Sequence, residues 1–118
     1  MTIYQRMDAV FQAAGVPGFL LRWQPTEQYP QLPQAYVVYR IASERCLQSW
    51  DDEPGIIEYQ IEAHLYSVGD PSAISEEIQF ALVERGFYLP RVREQGLEQS
   101  QSSLQYHIRI DTTYCEFK

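Results

Sequence analysis

The chain has 118 residues, 45% of them hydrophobic and 14% aromatic, with a net charge of −7 at neutral pH. That length suits one domain spanning 1–118, and the apolar content is enough for a core and too high for a disordered chain. Nine Lys and Arg against sixteen Asp and Glu, with no basic run, give a phosphate-gripping surface no electrostatic basis, so stable nucleic-acid binding is disfavoured.

The N-terminal residues show no apolar run ahead of a small-residue cleavage site, and nothing approaches bilayer length. This predicts a protein made in the cytoplasm, with no membrane partner. From Thr2 to Ala14, Ile3, Met7, Val10, Phe11 and Ala14 recur at helical spacing, with Thr2 as a cap and Gly15 as a stop before Pro17. Phe19-Leu20-Leu21-Arg22-Trp23 is a strand-length apolar run, and Gln24 to Pro33, with three prolines, reads as an extended connector.

Ala35 to Ile41 is rich in β-branched and aromatic residues and reads as a strand. Ser43 to Pro54 reads as a long polar loop containing Trp50, Asp51, Asp52 and Glu53. Gly55 to Ser67 then alternates Ile57, Tyr59, Ile61, Ala63 and Leu65 with Glu58, Gln60, Glu62 and His64, which predicts a strand with one dry and one wet face.

Asp70 as N-cap, Pro71 at the first helical position and Gly86 past the end define a second helix. Ile74, Ile78, Ala81 and Leu82, with Phe80 or Val83, are expected on its buried side, and Ser75, Glu76, Gln79 and Glu84 on its outer side. Phe87 to Leu89 reads as a short extended piece ended by Pro90, and Arg91 to Ser103 as a polar stretch without period. Leu104 to Tyr114 alternates again, with Leu104, Tyr106, Ile108, Ile110 and Tyr114 facing inward. These elements specify a single α+β domain, a mostly antiparallel or mixed sheet of four to five strands with two helices packed on one face.

Residues suited to chemistry are few. His64 and His107 fall on the wet faces of two strands, near Glu62 and Asp111, but no H-x-x-x-H, H-x-H or C-x-x-C spacing accompanies them, so solvated strand histidines are the simpler reading. Cys46 and Cys115 read as free thiols without a neighbouring histidine. The trio Asp51-Asp52-Glu53 lacks the ligand order of a calcium loop, and Glu58 and Glu62 are about 13 Å apart on an extended strand, too far to share one bond. No nucleophile elbow, P-loop or dinucleotide turn is present. No catalytic, cofactor or metal site is expected. Trp50 is either an anchor tucked against the core or an exposed anchor for a partner protein.

The order of Pro33-x-x-Tyr36-Val37-Val38-Tyr39, the acidic loop at Asp51-Asp52, Tyr59-x-Ile61-x-x-x-Leu65-Tyr66-Ser67, a helix from Asp70 to Gly86 and Tyr106-x-Ile108 resembles the small tail completion and tail terminator proteins of long-tailed bacteriophages and prophages. The resemblance implies a non-enzymatic virion protein, made in a host bacterium, that closes as a six-fold ring on the tail tube and joins tail to head. Its implied partners are copies of itself, tail-tube proteins and head-tail connector proteins, with DNA only as passing cargo. In that setting Glu58, Glu62 and Asp111 are expected to form an acidic lumen face, and Trp50, Asp51, Asp52, Glu53 and Tyr36 to contact partner subunits. The rival readings are a head-tail connector component, an unrelated bacterial interaction module, and, last, a small metal-dependent hydrolase using His64, His107 and Asp111.

Overall fold

The first helix, α1 (Ile3–Ala14), is set by its ends. Thr2 Oγ1 accepts from the Gln5 amide at 3.1 Å while Gln5 Oε1 accepts from the Thr2 amide at 2.8 Å, a reciprocal capping box. Gly15 stops the helix at φ 75°, a left-handed conformation that favours glycine. The expected stripe is buried: Ile3, Met7, Val10 and Phe11.

The computed structural model describes residues 1–50, 53–100 and 103–117, and side chains at 1–47, 55–93, 96–97 and 105–117. After α1 come β1 (Gly18–Leu20), β2 (Ala35–Trp50), β3 (Glu53–Ser67), α2 (Ser72–Glu84), β4 (Tyr88–Ser100) and β5 (Ser103–Phe117). They form one mixed sheet in the order β1-β2-β3-β5-β4. Only β1 and β2 run parallel. The predicted α+β class, the sheet of four to five strands and the two helices are as expected.

Five expectations are corrected. Of the first apolar run only Phe19 and Leu20 are strand, joined by Gly18 in the three-residue β1, because Leu21 at φ 70° turns the chain away. The stretch 43–50, expected as loop, continues β2, with Arg45 opposite Glu58 and Cys46 opposite Ile57. Register shifts after Ile41 and Cys46 let the strand bend without losing its partner. The stretch 91–100, expected to be irregular, is most of β4. Pro90 is accommodated where pairing skips from Tyr88 to Arg91 on this edge strand, the position in a sheet that tolerates a missing N–H.

The fourth correction concerns α2. Asp70 accepts from the amide and hydroxyl of Ser72 at 2.9 and 2.7 Å, so it opens the helix through a turn while the helical residues begin at Ser72. Ser75 is buried with Ile78, Ala81 and Leu82, whereas Phe80 and Val83 are exposed. Gly86, at φ 86°, ends the helix as predicted.

The core lies between the helices and one sheet face: Val37, Tyr39, Tyr59, Ile61, Ala63, Leu65, Ile108 and Ile110 meet Met7, Val10, Phe11, Ile78 and Leu82. Fully burying each large aliphatic chain contributes about 1.5–3 kcal/mol. Tyr39 packs on Phe11 at 5.4 Å between ring centroids, and burial, followed by the nearby Asp8, pushes its phenol up to about 12. Tyr106, expected inside, is 40% exposed, beside the start of α2 at Asp70, Pro71 and Ser72. No helix among the described residues is long and apolar enough to cross a membrane.

Candidate functional site

Among the described residues no helix covers the opposite face of the sheet, and the register brings its side chains into three rows across four strands. Arg40, Glu62, Asp111 and Arg91 form one row. Val38, His64, Arg109 and Arg93 form the next, and Tyr36, Tyr66, His107 and Gly96 the third. Directly opposed residues on neighbouring strands stand about 5 Å apart at Cβ, so each row is a ladder of contacts.

Glu62 is the hub of the charged rows. Its Oε2 accepts from Arg40 Nε at 3.0 Å and lies 2.7 Å from Arg40 Nη2. Its Oε1 lies 2.7 Å from His64 Nε2 and 3.6 Å from Arg109 Nη1. The His64 hydrogen bond holds the Glu62 carboxyl below the usual range most strongly; burial opposes it, and Arg40 and Arg109 reinforce it. Asp111 accepts from Arg109 Nε at 2.9 Å and faces Arg93 Nε at 3.9 Å, and Glu58 accepts from Arg45 Nε at 2.8 Å.

The aromatic row continues this network. His64 Nδ1 is 2.6 Å from His107 Nε2, Tyr66 stacks on His107 at 4.5 Å, and Tyr36 stacks on Tyr66 at 5.3 Å. His107 is 7% exposed and Tyr36 6%. Histidines expected to be solvated are therefore bonded to one another, and Tyr36, expected at a partner contact, is enclosed by its own sheet.

Glu58, Glu62 and Asp111 do share this face, as their alternation required. They do not make it acidic. Among the described side chains, Arg40, Arg45, Arg91, Arg93 and Arg109 outnumber those three carboxylates, and each carboxylate has an arginine partner. The negative charge of the chain lies elsewhere, in part on α2 with Glu76, Glu77 and Glu84. Asp51 and Asp52 lie outside the described residues, as do the side chains of Trp50 and Glu53, so the remaining partner-contact expectation falls there.

The arginines are what a reading of the sequence missed. Their signal was present, since Arg40 and Arg109 each lie between apolar residues and Val92 separates Arg91 from Arg93, but only the register shows that they face the same carboxylates. Chemically the face is a solid hydrogen-bonded surface with a shallow depression of about 480 Å³ toward β4. No group of three or more His, Cys, Asp and Glu arranged to hold a metal ion occurs among the described residues. No family model matches this sequence, and no curated protein matches it.

Proposed function

We propose that this protein is a non-enzymatic virion assembly subunit, a tail completion or tail terminator protein that closes as a ring on the tail tube of a long-tailed bacteriophage and joins it to the head. The observation that carries this reading is the one-sided layering. Both helices cover one face, two long hairpins (β2–β3 and β4–β5) run past them, and the other face presents side chains fixed by mutual hydrogen bonds over an elongated 54 × 29 × 22 Å unit. Such a subunit offers rigid surfaces on both sides for stacking against copies of itself. The resemblance carried by the sequence from Pro33 to Tyr114 is what favours the tail-terminator position.

The net charge of −7 suits a ring through which DNA moves without adhering, and it keeps free subunits soluble before docking. In this reading the partners are copies of the chain, tail-tube protein and the head-side connector, and the mature location is the virion. Electron microscopy of purified chain mixed with tail tubes tests it. The expected result is a ring of subunits on one tube end and arrested tube growth; tubes that elongate unchanged at a molar excess of the chain would overturn the proposal.

A further inference from the structure

We infer that the arginine-lined depression on the open sheet face receives helix α2 of a second copy of this chain. This rests on the ring-assembly reading above and names the two surfaces that meet.

The depression is lined by Tyr88, Leu89, Arg91, Arg93, Arg109 and Asp111, among others. Leu89 is 84% exposed and Tyr88 56%, so apolar area lies in water beside the guanidinium groups. Arg91 makes no side-chain hydrogen bond or ion pair with any described residue, and Arg93 reaches Asp111 only at 3.9 Å. The rim along β4 is therefore positive and incompletely neutralised, in a chain whose overall charge is −7.

Helix α2 carries the complementary surface. Residues 76, 77, 80, 83 and 84 fall within one arc of about 120° at 100° per residue. That arc places exposed Phe80 and Val83 beside exposed Glu76, Glu77 and Glu84. Exposed apolar side chains flanked by carboxylates match exposed apolar side chains flanked by arginines. The sizes agree as well. Thirteen residues of α2 span about 20 Å at 1.5 Å per residue, and four strands of the open face span about 15–20 Å. Because α2 and the depression lie on opposite sides of the sheet, the contact uses two different patches, and each subunit offers one of each. Repetition of such a contact closes a ring where the rotation closes.

Charge exchange on the full chain tests this, with association followed by sedimentation velocity alone and in the presence of tail tubes. Arg91→Glu with Arg93→Glu is expected to weaken association at least ten-fold, and so is Glu76→Arg with Glu77→Arg. Mixing the two reversed chains is expected to restore association to within about three-fold, because the opposed charges are exchanged together. Circular dichroism confirms folding. Should a reversed chain fail to fold, the milder Phe80→Ala and Arg91→Ala, both at exposed positions, are each expected to weaken association several-fold. Association that is unchanged in all of these variants overturns the docking while leaving ring assembly standing. A wild-type chain that stays monomeric at every concentration and on tail tubes overturns both. Binding of duplex DNA that depends on Arg91 and Arg93, with association unaffected, assigns the depression to phosphates and also overturns the docking.

Discussion

His64 Nδ1 and His107 Nε2 lie 2.6 Å apart, joining diagonal neighbours on β3 and β5. Ionised Glu62 only accepts, so the 2.7 Å contact to His64 Nε2 fixes the proton on that nitrogen. In the neutral pair, His107 Nε2–H then donates to His64 Nδ1. One carboxylate thus sets the tautomer of two rings, and the stack of Tyr66 on His107 at 4.5 Å carries that order on toward Tyr36.

His64→Phe and His107→Phe should each lower stability by about 1–3 kcal/mol, since each removes a partner from an enclosed polar group. Phenylalanine keeps the ring stack on Tyr66, so the loss reports hydrogen bonding more than area. The double variant should lose less than the sum of the two, because both delete the same contact. Urea denaturation of the four proteins measures this. Strict additivity would show that the two imidazoles are not energetically linked.

Glu62 gives the fold an acid limit. Its carboxyl is held below the ordinary value of 4.5 in the folded state, first by the His64 hydrogen bond and then by Arg40 and Arg109 against the opposing effect of burial. A group whose folded pKa is depressed adds stability above its unfolded pKa, and that stability disappears as pH falls through the folded value. The expected window therefore opens at about pH 5 and extends downward. Glu62→Gln should lower stability at pH 7 and flatten the decline below pH 5. Urea midpoints for the two proteins that fall in parallel across this range would remove Glu62 from the explanation.

What the sequence made legible follows from where the helices lie. α1 was readable to the residue because Ile3, Met7, Val10 and Phe11 face one core and Thr2 and Gln5 close its first turn. The inner part of β3 was readable because a dry face and a wet face force alternation from Tyr59 to Leu65. The outer halves of β2 and β4 were not. Residues 44–47 of β2 are all exposed, as is Leu97 on β4, so no dry stripe imposes a hydrophobic period on Glu44-Arg45-Cys46-Leu47. The site was half legible for a related reason. Period two placed Glu58, Glu62, His64, His107 and Asp111 on wet faces, but the pairing of His64 with His107, and of the carboxylates with arginines, depends on register between strands.

Gly18 provides a test of how β1 is seated. A Cβ built there would fall 2.7 Å from Phe11 Cγ and 2.8 Å from Cε2, inside van der Waals contact with a ring that is itself 2% exposed. Gly18→Ala should therefore cost about 1–3 kcal/mol through overpacking. Phe11→Leu, which removes the clashing ring edge, should make the added methyl cheaper than in the parent. Thermal melts of the four combinations give the coupling, and an alanine tolerated without loss in the parent would mean that the β1 backbone shifts freely away from α1.

The two thiols should differ in reactivity although neither belongs to a disulfide. Cys46 is exposed on the outer half of β2, while Cys115 is half-buried on β5, where burial, followed by the neighbouring Glu58 carboxylate, raises its pKa above the usual 9.0. The thiolate is the nucleophile, so both lower access and a smaller ionised fraction slow Cys115. Titration with an aromatic disulfide reagent near pH 8 should show two phases, the faster lost in Cys46→Ser and the slower lost in Cys115→Ser. Because Cys115 is paired through the backbone to Glu58, which accepts from Arg45, Glu58→Gln should speed the slow phase by lifting the repulsion on the thiolate. A slow phase indifferent to Glu58 would leave burial as the whole cause.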